Sequence, residues 1–276
     1  MFVKGGYVGL PVGLAAGLLR IPIVTHDSDA IPGLTNRVIS RFAKLMAVAM
    51  PANAYKNFYN LNKVVETGVP VMEDFIEISK IPKNTVKKKL GYSNESKIVA
   101  VVGGSLGAVR LNDAFMSVIY SLLKNKDVYV VWSTGNGQYD ELKKQIKLMG
   151  FPTKQVVIKP FFDNLPEIFQ SADVVVSRAG ATTMAELAVT STPTILVPNP
   201  VLTGGHQVVN ADIFMKAKAC AVVSETELEN NPRQLLDLLE DLLSNVRTRL
   251  EIGSNINKFA HENSAKLLAD LILRLG

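Results

Sequence analysis

The feature that most constrains the fold is an alternation of short strand-like runs with helical patterns along almost the whole chain. Runs such as KIVAVV, VYVVWS and DVVVS are each followed by a loop and then by a segment with helical spacing. This alternation predicts parallel strands joined by crossover helices. The sequence therefore predicts an α/β protein whose ligands bind beyond the carboxyl ends of its strands.

The alternation restarts at Lys97, and this restart predicts two Rossmann-like, doubly wound domains. Residues 1–72 are expected to form an incomplete N-terminal domain, and residues 73–250 a complete second domain. The helical residues 251–276 are expected to pack back on the N-terminal domain. The fold class predicted from sequence is thus α/β with two domains.

Composition excludes several classes of protein. The 276 residues carry 30 Lys+Arg and 25 Asp+Glu, and no basic stripe is interleaved with aromatic residues, so nucleic acid is not an expected partner. The run Lys87-Lys88-Lys89 is expected to lie on a solvated helix face. A single cysteine excludes an internal disulfide. No uninterrupted apolar stretch reaches transmembrane length.

Glycine-rich turns stand between a strand and a helix at two places. The first contains Gly5 and Gly6, and the second contains Gly103, Gly104 and Gly107. Backbone N–H groups converge at such turns and the helix dipole favours an anion, so both are candidate phosphate sites. The second turn lacks the Lys-Ser/Thr pair of a P-loop. A tight strand-to-helix turn explains it equally well.

Two further motifs follow later strands. In SRAGATTMAEL, Thr183 and Glu186 have the spacing of a capping box, which alone explains both residues. The alternative is that this helix start faces a diphosphate while Glu186 accepts hydrogen bonds from a ribose diol. In GGHQVVNA, His206 and Gln207 either bind sugar hydroxyls or cap a helix.

Asp27-Ser28-Asp29 in THDSDA presents two carboxylates directly after a strand. An Asp-x-Asp pair can hold a divalent metal on a nucleotide-sugar diphosphate, but no third ligand is in view. Neither a metal nor another cofactor is therefore expected.

These motifs, in this order and at this separation, resemble the MurG family within glycosyltransferase family 28. The resemblance spans nearly the whole chain and implies a GT-B fold. It also implies inverting transfer of N-acetylglucosamine from UDP-GlcNAc to undecaprenyl-pyrophosphoryl-MurNAc-pentapeptide, which converts lipid I to lipid II. The implied partners are UDP-GlcNAc, the lipid-linked muramyl-pentapeptide and an anionic membrane surface. The implied location is peripheral, on the cytoplasmic face of the cell membrane.

The resemblance assigns roles to individual residues. Ser105 is expected to face the donor phosphates, the backbone of Phe162 to contact uracil, and Glu186 to bind ribose. The full set of expected donor-binding residues is Asp29, Ser105, Phe162, Arg178, Ala181, Thr182, Thr183, Glu186, His206 and Gln207. Tyr7 and Asn36 are expected on the acceptor side.

His26 and Asp27 are the candidates for the general base. Leu14, Leu18 and Leu19, with Arg20, are expected either in the core or in an apolar and basic membrane contact.

The chain also departs from the family pattern. The segment Asp27-Ser28-Asp29 stands where the family has Glu-Gln-Asn, and Met72 stands where an arginine is expected. Family members begin with a further glycine-rich loop within about two strand–helix units. Two explanations remain open: a start codon assigned too late, or a protein that needs an N-terminal partner segment.

Rival functions also remain open. They are another GT-B lipid glycosyltransferase, a UDP-sugar epimerase, and a UDP-sugar-binding subunit that is inactive alone.

Overall fold

The computed structural model describes residues 1–104 and 107–275, and its contacts divide the chain into two compact units. Unit 1 comprises Met1–Val71 together with Phe259–Gly276, and unit 2 comprises Met72–Lys258. The N-terminal unit is therefore made from both ends of the chain.

Unit 1 contains a parallel sheet in the order β1-β2-β3-β4. The strands are Phe2–Val3 (β1), Val24–Asp27 (β2), Leu45–Val48 (β3) and Val64–Glu66 (β4). The first two helices are Gly9–Leu18 (α1) and Leu34–Ile39 (α2), and short 3-10 turns lie at Ala52–Tyr55 and Leu61–Lys63.

The packing of α1 on α2 depends on a missing side chain. A Cβ at Gly13 would lie 2.3 Å from Cδ1 of Ile39, far closer than real contacts allow. Glycine at this position therefore lets α1 and α2 approach each other closely.

Unit 2 contains a six-stranded parallel sheet in the order β10-β9-β8-β5-β6-β7. The strands are Lys97–Val102 (β5), Val128–Ser133 (β6), Val156–Lys159 (β7), Val174–Ser177 (β8), Thr194–Leu196 (β9) and Ala221–Val222 (β10). The chain runs outward from β5 to β7, then returns to the other side of β5 with β8. This reversal creates a crevice at the carboxyl edge of the sheet.

The helices of unit 2 cover its sheet. They are Glu73–Ser79 (α3), Lys83–Lys89 (α4), Val109–Leu122 (α5), Tyr139–Leu148 (α6), Leu165–Ser171 (α7), Ala181–Val189 (α8), His206–Lys216 (α9), Glu225–Asn230 (α10), Arg233–Ser244 (α11) and Val246–Asn257 (α12), with a 3-10 turn at Thr203–Gly205. In the core, the ring of Trp132 meets Phe115 edge-on, with 5.0 Å between the ring centroids. The indole N–H of Trp132 donates to Oδ1 of Asn112, which satisfies both buried polar groups.

The final helix, Ser264–Leu273 (α13), returns to unit 1. Leu268 packs against Val24 and Ala47 on the sheet, and Leu271 and Ile272 lie at the edge of this cluster. Within the described residues, no helix is both long and apolar enough to cross a membrane.

The lysine run in α4 is not uniformly solvated, and this part of the sequence prediction is wrong. Lys87 is buried, with its Nζ 2.7 Å from Oδ2 of Asp173 and 2.6 Å from the carbonyl oxygen of Ser96. The same Oδ2 accepts the backbone N–H of Ile98 at 2.8 Å. One turn earlier, burial lowers the pKa of Lys83 to about 8. A charge run read from sequence does not show which residue faces the interior.

Replacing Lys87 by alanine is expected to lower the free energy of unfolding by about 3 kcal/mol, because the carboxylate of Asp173 would remain buried without its charge partner. Denaturant unfolding measures this difference. The matched control is Lys88→Ala, at the exposed neighbouring position, with an expected change within about 0.5 kcal/mol. Equal effects of the two substitutions would contradict a structural role for the buried pair.

Candidate functional site

A cavity of about 670 Å³ lies in unit 2 at the crevice where the strand order reverses. The loop between β5 and α5, the start of α8, the loop before α9 and the start of α10 all line it. Because these segments follow parallel strands, the sheet brings them to the same edge.

The glycine turn after β5 is shaped by close packing. A Cβ at Gly103 would lie 2.8 Å from the Cβ of Ala108, and one at Gly107 would lie 2.7 Å from the carbonyl oxygen of Thr134. Gly104 has a φ of +85° and open space where a side chain would be. Backbone is therefore exposed to the cavity at Gly104. The predicted phosphate-facing residue Ser105 lies outside the described residues.

The start of α8 settles the question of the capping box. The helix begins at Ala181 with Gly180 as its N-cap, so Thr183 is the third helical residue and cannot be the cap. A real capping box occurs elsewhere, between Ser224 and Glu227 at the start of α10. The capping explanation for Thr183 and Glu186 is therefore wrong.

Backbone donors at the start of α8 are available to a ligand. No side chain within the described part of the chain caps this helix, and Gly180 and Thr183 line the cavity. Ala181 is buried and Thr182 is exposed. An uncapped helix start beside a cavity favours an anion, because its N–H groups lack partners and its dipole is positive.

Glu186 is buried one turn further along α8, and its carboxylate has no hydrogen-bond partner among the described residues. Burial alone raises its pKa from 4.5 to about 7. A buried carboxyl group without a protein partner is costly. Glu186 is not among the residues that line the cavity, and its contact with a ribose stays a prediction.

Gln207 and Arg178 also line the cavity. Oε1 of Gln207 accepts the backbone N–H of Asn199 at 3.0 Å, so the side chain ties the loop before α9 in place. Its Nε2 has no hydrogen-bond partner within the described part of the chain. His206, the first residue of α9, is half-buried and is not among the residues that line this cavity.

An ion-pair network at the cavity was not predicted from sequence. Arg178 donates through Nη1 to the carbonyl oxygen of Val197 at 3.0 Å and pairs through Nη2 with Oε1 of Glu225. The second oxygen of Glu225 lies 2.9 Å from Nη1 of Arg110, whose Nε lies 3.1 Å from Oε1 of Glu229. Arg110 and Glu225 are far apart in the chain, and no local pattern links them.

Phe162 follows β7 and does not line this cavity. Its ring is buried, and Nζ of Lys159 lies 5.2 Å from the ring centroid. The side chain therefore belongs to the packed interior. A contact between its backbone and a nucleobase stays a prediction.

The two candidates for the general base lie in a hydrogen-bonded part of unit 1. His26 is buried, its Nε2 lies 2.9 Å from the carbonyl oxygen of Gly68, and its Nδ1 lies 2.9 Å from Nζ of Lys4. A carbonyl oxygen only accepts, so Nε2 carries the proton and Nδ1 accepts from lysine. Burial, helped by the charge of Lys4, lowers the pKa of His26 to about 4. Both ring nitrogens are therefore engaged within unit 1, and a role of His26 as general base stays a prediction.

Both carboxylate oxygens of Asp27 also accept hydrogen bonds. Its Oδ2 accepts the hydroxyl of Tyr59 at 2.6 Å, and its Oδ1 accepts Nδ2 of Asn36 at 2.9 Å and the N–H of Gly33 at 3.3 Å. Burial raises the pKa of Asp27, and these hydrogen bonds oppose that shift. The carboxylate therefore organises the loop after β2.

The two residues predicted on the acceptor side, Asn36 and Tyr7, have different surroundings. Asn36 is buried and also donates to the carbonyl oxygen of His26, whereas Tyr7 is almost fully exposed. Gly5 and Gly6 have φ values of +109° and +79°, which favour glycine.

Asp29 is half-buried, and its carbonyl oxygen accepts the hydroxyl of Tyr55 at 3.0 Å. Across residues 1–104 and 107–275, no group of three or more His, Cys, Asp or Glu residues could hold a metal ion.

Two parallel α/β units, with a ligand-sized crevice at the carboxyl edge of the second, define the GT-B class of nucleotide-sugar enzymes. Residues 98–269 match the C-terminal domain of glycosyltransferase family 28, and residues 1–48 match its N-terminal domain. The chain therefore belongs to glycosyltransferase family 28, and the predicted family and GT-B fold class are confirmed.

Named relatives agree with this assignment. A UDP-N-acetylglucosamine–N-acetylmuramyl-(pentapeptide) pyrophosphoryl-undecaprenol N-acetylglucosamine transferase of Halalkalibacterium halodurans is 38% identical over 239 residues, covering 87% of this chain and 63% of the relative. One of the same name from Thermoanaerobacter sp. is 34% identical over 269 residues, covering 97% of this chain and 72% of the relative. The crystal structure of Acinetobacter baumannii MurG matches with a TM-score of 0.78 at 26% identity, covering 99% of this chain and 72% of that protein. The chain thus spans about two thirds of the length of these relatives.

The raised pKa of Glu186 predicts a pH-dependent stability. The folded state holds the proton up to about pH 7 and the unfolded state releases it near pH 4.5, so stability falls as pH rises between these values. Relative to Glu186→Gln, the wild type is expected to lose about 3 kcal/mol of unfolding free energy as the pH rises through this range. Denaturant unfolding at pH 4.5, 6 and 8 measures the difference.

The control for this experiment is Glu240→Gln, at an exposed position of α11. Its stability is expected to run parallel to that of the wild type at all three pH values. A parallel profile for Glu186→Gln as well would show that Glu186 is not protonated in the folded protein.

Proposed function

We propose that the chain acts as an N-acetylglucosaminyltransferase, moving N-acetylglucosamine from UDP-GlcNAc to undecaprenyl-pyrophosphoryl-MurNAc-pentapeptide. The observation that carries this proposal is the buried carboxyl group of Glu186, without a protein partner, on a helix whose uncapped start borders the cavity. The printed names of the relatives supply the substrate class.

The donor would lie along the carboxyl edge of the sheet in unit 2. Its diphosphate would meet the N–H groups at the start of α8 and the exposed backbone at Gly104, while Glu186 accepts from the ribose hydroxyls. Nε2 of Gln207 would donate to the sugar. These fixed dipoles would stabilise the charge that develops on the leaving UDP, so a metal is not required.

The acceptor would use unit 1. The Gly5-Gly6 turn with exposed Tyr7 is suited to the lipid pyrophosphate, because backbone N–H groups there stand before α1. A hydroxyl of the muramyl sugar would attack the anomeric carbon opposite the leaving UDP, which inverts that carbon. A general base would take the proton of that hydroxyl, and His26 and Asp27 stay the predicted candidates for this role.

The outer edge of β1 has no partner strand among the described residues, since β1 pairs only with β2. An open edge of this kind accepts a further strand. This edge supports an N-terminal partner segment as part of the proposal. Hydrogen exchange of Phe2 and Val3 with and without an added segment would test it, and unchanged exchange would argue against pairing.

The main test is calorimetric titration with UDP and UDP-GlcNAc, followed by transfer of labelled N-acetylglucosamine to a lipid I analogue. Both nucleotides are expected to bind, and binding is expected to survive excess EDTA. Failure of both to bind would overturn the proposal, and loss of binding with EDTA would overturn its metal-free mechanism.

Gln207→Ala tests the sugar contact within the same experiment. UDP-GlcNAc is expected to bind about tenfold more weakly, because a hydrogen bond to the sugar is lost, while UDP binding changes little. Equal losses for both ligands would show that the loop tied through Asn199 has been disordered instead.

A peripheral location on the cytoplasmic membrane face is the remaining part of the proposal. Leu18 and Leu19, at the end of α1, are 82% and 73% exposed beside exposed Arg20, so the alternative that they are core residues is wrong. Exposed apolar side chains next to a cation suit an anionic lipid surface.

Replacing both Leu18 and Leu19 by serine is expected to weaken binding to anionic phospholipid vesicles about a hundredfold in a co-sedimentation assay, because about 3 kcal/mol of apolar burial is lost. The control is Leu148→Ser, which removes an equally exposed leucine from unit 2. Equal sedimentation of all three proteins would contradict the membrane contact.

A further inference from the structure

The two arginines that line the cavity differ in how firmly they are held. The side chain of Arg178 is 11% exposed, and it is fixed by a carbonyl oxygen and by Glu225. The side chain of Arg110 is 53% exposed and forms one ion pair with Glu225 and one with Glu229. The side chain of Glu229 is itself 54% exposed. Only a weak surface pair must be broken to turn the Nε edge of Arg110 toward a ligand.

The position of Arg110 in its helix is otherwise unfavourable. It is the second residue of α5, a 14-residue helix that has no acidic residue in its first turn and Ala108 as its N-cap, without a side-chain hydrogen bond. A cation at this end opposes the helix dipole. Ala108, Val109 and Arg110 all line the cavity, so the uncompensated positive end of α5 faces the same space as the start of α8.

We propose that Arg110 is a ligand of the donor's diphosphate, held in the empty site by Glu225 and Glu229 and released in part when the nucleotide binds. In the occupied site, a phosphate oxygen takes the place of Glu229 on Nε. Glu225 keeps its bond to Arg178 and to Nη1 of Arg110. This inference rests on the proposed function, because it assumes that the cavity receives a nucleoside diphosphate.

The charges explain why an exchangeable partner is needed. Without a nucleotide, Arg110 and Arg178 face Glu225 and Glu229, and the four charges cancel. A diphosphate brings two further negative charges, which are better accommodated once the exposed Glu229 turns into water. The buried Glu225 cannot leave in this way, so it positions both arginines.

The alternative is that Arg110 only ties α5 to α10. The two roles make opposite predictions for Glu229. If Arg110 is a structural tie, removing the charge of Glu229 loosens it and weakens ligand binding. If Arg110 binds phosphate, removing that charge removes a competitor and strengthens ligand binding.

The experiment measures binding of UDP and of uridine to the full chain by calorimetry. Arg110→Gln is expected to weaken UDP binding about tenfold and to leave uridine binding within about twofold, because only the diphosphate contact is lost. Glu229→Gln is expected to strengthen UDP binding about twofold. The difference in UDP affinity between the wild type and Arg110→Gln should become smaller at high salt, because salt screens the charges.

Arg233→Gln is the matched control, since it removes the same charge from an exposed position of α11 and should leave UDP binding unchanged. Equal binding of UDP by the wild type and Arg110→Gln would overturn the inference and leave the proposed function standing. Equal losses for UDP and uridine, or weaker UDP binding by Glu229→Gln, would also overturn it. Failure of the wild type to bind UDP would overturn both proposals.

Discussion

The parallel pairing of β5 with β8 is the interaction on which the rest of unit 2 depends. The register sets Val102 beside Ser177, and the hydroxyl of Ser177 donates to the carbonyl oxygen of Val102 at 3.0 Å. Both strands therefore end together, and the helices that follow them, α5 and α8, begin at the same edge. Two helix starts without side-chain caps face one cavity as a result. The anion binding that we propose for this cavity therefore depends on strand pairing before any side chain is considered.

Unit 1 shows a different use of polar residues. The motif THDSDA, together with Asn36, Tyr59 and Lys4, forms a buried hydrogen-bonded network around His26 and Asp27. Two members are only partly satisfied, because Oγ1 of Thr25 and Oδ1 of Asn36 have no hydrogen-bond partner among the described residues. The residue types resemble those of a catalytic centre, yet their donors and acceptors are used to shape the loop after β2. Polar residues after a strand can therefore shape a loop, whatever their part in chemistry.

Much of the fold could be predicted from sequence because it depends on patterns among residues that are close together in the chain. The alternation of strands and helices gave both parallel sheets, and the glycines of VVGGSLGA marked a turn whose packing requires them. The burial of Lys87 and the pairing of Arg110 with Glu225 could not be predicted, since both depend on partners distant in the chain. The capping-box interpretation of Thr183 failed for a local reason: the N-cap is Gly180, three residues before Thr183. Spacing alone does not fix where a helix starts.

The return of α13 to unit 1 has a consequence for how the protein is made. Unit 2 is one continuous stretch of chain, whereas unit 1 needs the helix that carries Leu268 to cover Val24 and Ala47. During synthesis, residues 1–71 precede the whole of unit 2 and lack that cover until residues 259–276 have been translated. Unit 1 therefore completes its fold only after unit 2 has been synthesised. Until then, the apolar sheet face that Leu268 covers is exposed to water.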